Sequence, residues 1–312
     1  MTKSDVDVAL PLEGARRRWP RQTAEFAWGY FLILPALLLM ALVIGVPLVK
    51  AVGISLTNST FINPVPTFVG LRNFALMVQS SIFWEVVSTS LIWTGTVVVA
   101  QLICGFATAL LLNLRFRGRG LARALIILPW VCPGVIAAII WRVIDDPYLG
   151  PINTALAWAG LRHPTIAWLG QPATALGAVI VAAIWKGTPF STVMYLAALQ
   201  GVSTEVLEAA TIDGAGAWGR LRHVIIPQTM PVIRVLLLLT TVWTFNYFEL
   251  VYIMTQGGPG DATQIFPTYI YKLAFDQIRY GAASAYGMIA LLILLVFSLL
   301  YIAQLNKARV LE

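Results

Sequence analysis

Two ionisable residues stand inside long apolar runs: Lys186 in "AAIWKGTPF" and Glu249 in "WTFNYFELVYIM". A charge at bilayer depth costs at least about 2.5 kcal/mol on insertion scales, so such groups face a partner or an aqueous cavity. A lysine can also snorkel toward the interface along its aliphatic stem. Asn246, Glu249 and Tyr252 recur every three residues and would share one side of a continuous helix, with Phe245 and Phe248 close by. Amide, acid and aromatic groups in that pattern suit a polyhydroxylated ligand, whose hydroxyls they bond and whose C–H faces they cover. The same pattern also fits helix packing through one interhelical hydrogen bond. At about 1.5 Å per residue, Lys186 and Glu249 lie at depths that differ by about one helical turn or less, so an ion pair or a shared polar network is expected in at least one state.

No catalytic set accompanies them. The two histidines, His163 and His223, have no second ligand at metal spacing and read as solvated residues. There is no G-x-x-x-x-G-K-[ST] phosphate loop, so ATP hydrolysis by that route is not expected on this chain, and no serine–histidine–acid set can be argued. The residues point away from an enzyme, a metal site or a cofactor held by the chain itself.

The elements that must position these groups are membrane spans. Of 312 residues, 59% are hydrophobic and 11% charged, against roughly 25% charged in soluble domains. Charge-poor runs near 26–49, 86–114, 124–141, 173–199, 232–255 and 283–305 are each long enough to cross a hydrocarbon core of about 30 Å as helices. The net charge of +7 does not indicate nucleic acid, because the basic residues cluster in short segments between the runs. Lys3, Arg16, Arg17, Arg18 and Arg21 precede the first run. Arg115, Arg117 and Arg119 follow the second, Arg220 and Arg222 the fourth, and Lys307 and Arg309 the sixth. That pattern puts both termini in the cytoplasm, with an uncleaved first span. Cys104 and Cys132 fall within spans and read as small buried hydrophobes. On the opposite side, "DDPYLGPINTALAWAGL" reads as a turn followed by a short amphipathic helix begun near Asn153.

One stretch breaks the apolar pattern: "EVLEAATIDGAGAWGRLRHVIIPQTMP". Glu205, Leu207, Glu208, Ala209 and Ala210 favour a short helix; Asp213, Gly214 and Gly216 break it. A second helical segment from Trp218 carries Arg220 and Arg222 and should end at Ile226, before Pro227. A compact bent element with small residues is a surface that another protein can approach closely. "EAATIDGA" followed by "IIP" closely resembles the EAA loop of ABC-importer permeases. Glu208, Ala209, Ala210 and Gly214 match its pattern, and Ile225 and Pro227 match around Ile226, where leucine is usual. "FVGLRNF", "GPIN", "WKGTPF", "LAALQGV" and "FELVYIMTQGGP" resemble the carbohydrate branch of that family, similar to maltose and glycerol-3-phosphate permeases.

The resemblance implies an all-α membrane protein of six transmembrane helices with a cytoplasmic coupling helix between helices four and five. The expected organisation is a tail over 1–25, a transmembrane domain over 26–306 with its coupling segment at 203–227, and a tail over 307–312. The chain would form half of an import pathway for a sugar or sugar-like solute in the cytoplasmic (inner) membrane of a bacterium or archaeon. A second homologous permease, two copies of an ABC ATPase holding ATP and magnesium, an extracytoplasmic solute-binding protein and membrane lipid are the implied partners. ATPase coupling is expected at Glu205, Glu208, Ala209, Ala210, Asp213, Gly214, Gly216 and Arg220, and the solute path at Lys186, Phe245, Asn246, Tyr247, Glu249 and Tyr252. Two departures stand out: glutamate replaces the common aspartate at Glu249, and Tyr247 replaces the asparagine of the maltose permease. A non-sugar solute and an ion-coupled secondary transporter using Lys186 and Glu249 are the alternatives.

Overall fold

Long apolar runs fold as helices because only a helix satisfies its own backbone groups within one segment in a lipid environment. The computed structural model describes the backbone over residues 19–60, 66–161 and 165–311, and side chains among these from residue 30 to 307. The expected tail through residue 18, with Lys3 and Arg16 to Arg18, and His163 lie outside the described residues. Two units are distinguished, Met1–Ala51 and Val52–Glu312. The first contains α1 (Trp19–Met40), a π turn (Ala41–Gly45) and the start of α2 (Val46–Ser55); the apolar stretch Tyr30–Ser55, whose last four residues belong to the second unit, is long enough to cross a membrane.

The second unit continues through α3 (Arg72–Gln79), α4 (Ser81–Asn113), α5 (Arg119–Val131), α6 (Gly134–Ile144) and α7 (Pro151–Trp158). It then forms α8 (Pro172–Gln200), α9 (Thr204–Ile212), α10 (Ala217–Arg220), α11 (Ile226–Phe245) and α12 (Phe248–Thr255). It ends in α13 (Phe266–Tyr271), a π turn (Lys272–Asp276) and α14 (Tyr280–Leu311). Five helices among the described residues are long and apolar enough to cross a membrane, and α5 with α6 brings the number to six if that bent pair counts as one span. The short external helix expected near Asn153 begins at Pro151.

Two expected spans and one connecting segment differ in form. The run at 124–141 is broken: α5 and α6 meet at 98° across Cys132 and Pro133. Proline drives the residue before it into extended geometry, and Cys132 has φ −61° and ψ 129°. The run at 232–255 breaks at Asn246 and Tyr247, so Asn246, Glu249 and Tyr252 do not share one helix face. Conversely, the segment expected to stop before Pro227 continues. A π turn at Leu221–Ile225 links α10 to α11, and Pro227 sits in the first turn of α11, where its missing N–H costs little. Cys104 is exposed on α4 rather than buried, and Cys132 is half-buried at the α5–α6 break.

Among the described residues, the most extensive helix packing is that of α4 with α8. A Cβ on Gly105 would meet the Ser191 side chain, and one on Gly187 would overlap the Gln101 amide, so glycine lets the backbones approach as small residues do in membrane bundles. Gln101 Nε2 donates to Ser191 Oγ at 3.0 Å within this seam. One buried cluster joins Trp93, Ala138, Val179 and Leu250 from α4, α6, α8 and α12; another joins Phe83, Phe245, Phe266 and Tyr286. A third, around Ala109, Tyr195 and Leu236, closes the other end of α4, α8 and α11.

Candidate functional site

A cavity of about 200 Å³ opens where α4, α5, α8 and α11 converge. Trp130, Phe190 and Trp243 form its aromatic walls, with ring centroids 5.8 Å apart for Trp130–Phe190 and 5.1 Å for Phe190–Trp243. Gln101, Lys186, Thr240, Thr244 and Tyr247 supply its polar groups. Aromatic faces beside a few placed amide, hydroxyl and amine groups are how a pocket holds a small polyhydroxylated molecule: rings cover C–H surfaces and polar atoms fix orientation. Each wall has a local cause. Trp130 ends α5 at the proline break, and Gln101 reaches the cavity because Gly187 leaves room for it. Tyr247 is carried there by a tight turn: its φ −78° and ψ 75°, with Phe248 N–H donating to Asn246 O at 2.8 Å, make an inverse γ-turn between α11 and α12. Trp93 Nε1 donates to Thr244 O at 2.9 Å and ties that turn to α4.

Of the residues expected on a solute path, the structure brings Lys186 and Tyr247 to this cavity and places the others elsewhere. Phe245 is 3% exposed and stacks on Phe266 at 5.6 Å. Asn246 is exposed, and its Nδ2 donates to Val242 O at 2.9 Å. The Glu249 carboxylate lies against Gly134, and Tyr252 stacks on Phe248 at 4.8 Å and meets Tyr271 at 4.7 Å. Lys186 and Glu249 form no ion pair here; Lys186 Nζ donates to Cys132 O at 2.6 Å. Trp130, Phe190, Trp243 and Gln101 were not singled out from sequence. Of these only Phe190 carried a signal, as the last residue of "WKGTPF".

The bent element forms a second site. Ser203 caps α9, accepting from Val206 N–H at 3.4 Å. The other end closes in a Schellman motif: Ala215 N–H donates to Ala210 O at 2.9 Å and Gly214 N–H to Thr211 O at 3.1 Å, with Gly214 left-handed at φ +82°. Arg220 Nη1 donates to Thr211 Oγ1 at 2.8 Å and braces α10 against α9. Thus Asp213, Gly214, Gly216 and Arg220 shape the turn, whereas Glu205, Glu208 and Ala209 are exposed on α9 and Ala210 is half-buried. Ile212 and Trp218 are 87% and 69% exposed beside the turn. Two large apolar side chains are thus exposed beside a turn whose backbone hydrogen bonds are satisfied. His223 is exposed, with Nδ1 3.1 Å from Gly219 O.

The opposite end of α6 carries a buried acid. Asp145 is 3% exposed, its Oδ2 has no partner, and burial pushes its carboxyl up to about 6. Beside it, Asp146 accepts from the Tyr148 and Leu149 N–H groups at 2.9 and 2.8 Å, which holds its carboxyl below the ordinary range.

Comparison with known proteins places these features. The chain is 36% identical over 273 residues to a probable ABC transporter permease of Brucella suis biovar 1, covering 88% of this chain and 94% of that one. It is 35% identical over 281 residues to the trehalose/maltose transport system permease protein MalF of Thermococcus litoralis, covering 89% and 93%. The fold is similar to that of a chain in the crystal structure of a bacterial ABC transporter involved in the import of the acidic polysaccharide alginate. That match has a TM-score of 0.78 at 24% identity and covers 94% of this chain and 99% of the other. Residues 101–311, which hold the α4–α8 seam, the cavity and the bent element, match the family described as binding-protein-dependent transport system inner membrane component. A bundle of spans around a small aromatic cavity, with a rigid corner exposed between two of them, is therefore a multi-pass ABC permease component, and the chain belongs to that inner-membrane family.

Proposed function

We propose that this permease carries a sugar or sugar-like solute through the cavity between α4, α5, α8 and α11, and that it couples to an ATPase through the α9–α10 corner. The cavity carries the reading. Three aromatic walls with an amide and hydroxyls suit a polyhydroxylated solute, and the trehalose/maltose relative is in keeping with it. Trp130, Phe190 and Trp243 would cover the ring faces of the solute; Gln101, Thr240 and Tyr247 would orient its hydroxyls. Among non-sugar solutes, a polyamine has less support because none of the lining residues is acidic, and a phosphodiester would find Lys186 as its sole cationic partner.

In this reading both termini and the 203–227 segment are cytoplasmic, with a transmembrane domain over 26–306 between tails at 1–25 and 307–312. One chain walls half a pathway, so a homologous second permease completes it. Two ATPases hold ATP and magnesium, and this chain binds neither. An extracytoplasmic solute-binding protein delivers the solute, as in the related alginate transporter, whose structure was solved with its periplasmic protein. Glu205 and Glu208 face the ATPase beside Ile212 and Trp218. Movement of that corner is useful only if nucleotide state and binding-protein contact favour different conformations of the spans.

The test is uptake into proteoliposomes holding the full transporter with its binding protein, using radiolabelled disaccharides, a polyamine and a phosphodiester. ATP-dependent uptake of a sugar supports the reading. Uptake of only the polyamine or only the phosphodiester overturns the solute class.

A further inference from the structure

We propose that Lys186 and Glu249 are positioning residues that hold the break in the third span, one at each half-helix end, and that neither binds the solute. The break leaves two helix ends side by side, with Cys132 and Gly134 half-buried between them. α5 ends at Val131, with Cys132 as its C-cap residue. α6 begins at Gly134 behind Pro133, a residue with no side chain able to cap it. A helix C-terminus carries partial negative charge and unpaired carbonyls, and an N-terminus carries partial positive charge and unpaired N–H groups. Water satisfies such ends at a protein surface; inside a span another group must.

The two charges stand where those ends need them. Lys186, on α8, donates from Nζ to the Cys132 carbonyl at 2.6 Å, so a cation meets the negative end of α5. Glu249, on α12, lays its carboxylate against Gly134, so an anion meets the first turn of α6; a Cβ at position 134 would overlap that carboxylate. The signs match the helix ends and would be wrong if exchanged. Each charge also ties one half-helix to a different neighbour, α5 to α8 and α6 to α12. Trp130, two residues before Cys132, is a cavity wall, so where the end of α5 is held decides where that wall stands. Lys186 lines the same cavity while directing its ammonium group at the backbone.

This inference rests on the transport reading only for its uptake measurement. Its primary measurement uses Cys132, the thiol at the break, and needs no solute. In the full transporter carrying Cys104→Ser, the rate of Cys132 alkylation by N-ethylmaleimide reports how firmly the break is held. Lys186→Met and Glu249→Gln should each raise that rate several-fold, whereas Lys186→Arg and Glu249→Asp, which keep the charges, should stay near the parent. Gly134→Ala, which displaces the carboxylate without touching either charge, should raise it as well and keeps the test open if a charge variant fails to assemble. For uptake, the maximal rate should fall with little change in the half-saturating solute concentration, and the double variant should lose no more than the worse single one. Unchanged labelling in Lys186→Met, Glu249→Gln and Gly134→Ala overturns the proposal. So does a Lys186→Met variant whose only change is a higher half-saturating concentration, which would make the lysine a solute ligand.

Discussion

Gln101 and Gly187 face each other so closely across the α4–α8 seam that one methyl group on the glycine would overlap the Gln101 side-chain amide. The amide is 5% exposed and bonded to Ser191, so it cannot swing away without leaving a buried group unpaired. Gly187→Ala should therefore displace Gln101 into the cavity and destabilise the protein by about 1–3 kcal/mol, the usual cost of overpacking. The melting temperature and uptake should both fall, and Gln101→Ala in the same chain should restore part of the stability by opening space but not the uptake. Full activity of Gly187→Ala alone would show that the seam is looser than described.

Gly214 tests the corner between α9 and α10. At φ +82° a β-branched residue is strained by at least about 1–2 kcal/mol, and the Schellman bonds from Ala215 and Gly214 would be lost with the turn. Gly214→Val should leave membrane insertion intact but reduce uptake and the stimulation of ATP hydrolysis by the binding protein. Normal coupling in the assembled transporter would show that this corner is not the ATPase contact.

Asp145 predicts a pH dependence of stability. Its carboxyl rises from 3.8 to about 6 through burial, so the folded chain holds a proton that the unfolded chain releases. The contribution of Asp145 to stability is greatest below about pH 4, falls as pH rises from about 4 to 6, and is level above that. Asp145→Asn fixes the neutral form: it should stabilise the protein above pH 6 by on the order of 2 kcal/mol, seen as a higher melting temperature, and make no difference below pH 4. Thermal unfolding at the two pH values decides; equal effects at both would mean that the acid does not titrate in this way.

Lys272 and Asp261 form an ion pair at 2.6 Å between the loop after α12 and the π turn after α13, with each side chain about one-third exposed. Pairs this accessible contribute little, so Lys272→Met should cost no more than about 1 kcal/mol, and less at high salt. A larger, salt-independent loss in thermal unfolding would reveal a tighter role for that loop.

The bent element was legible in the sequence because its causes are local. Ser203 caps, Gly214 supplies the left-handed turn, and both act within a few residues of the helix they bound. The spans were legible from apolar run length, but their interruptions were not. Apolar character continues through Cys132–Gly134 and through Asn246–Tyr247, and a period count treats both as unbroken helix. Proline at 133 was the available signal for the first break; nothing comparable marks the second, which depends on the turn at Tyr247. The cavity was least legible. Gln101, Trp130, Phe190 and Trp243 lie on four helices, and only packing brings them together. Lys186 and Glu249 stood out as buried charges, yet what they face is the backbone of the broken span rather than each other.

The central claim is that the aromatic cavity is the solute path, and Trp130 and Trp243 test it most directly. ATP-dependent uptake should be measured for Trp130→Ala and Trp243→Ala in proteoliposomes with the binding protein, alongside the ATP hydrolysis that the protein stimulates. Loss of a stacking wall removes about 0.5–1.5 kcal/mol beyond its buried area. Each variant should lose most of its uptake while the hydrolysis persists. Unchanged uptake in both variants would contradict the assignment of this cavity.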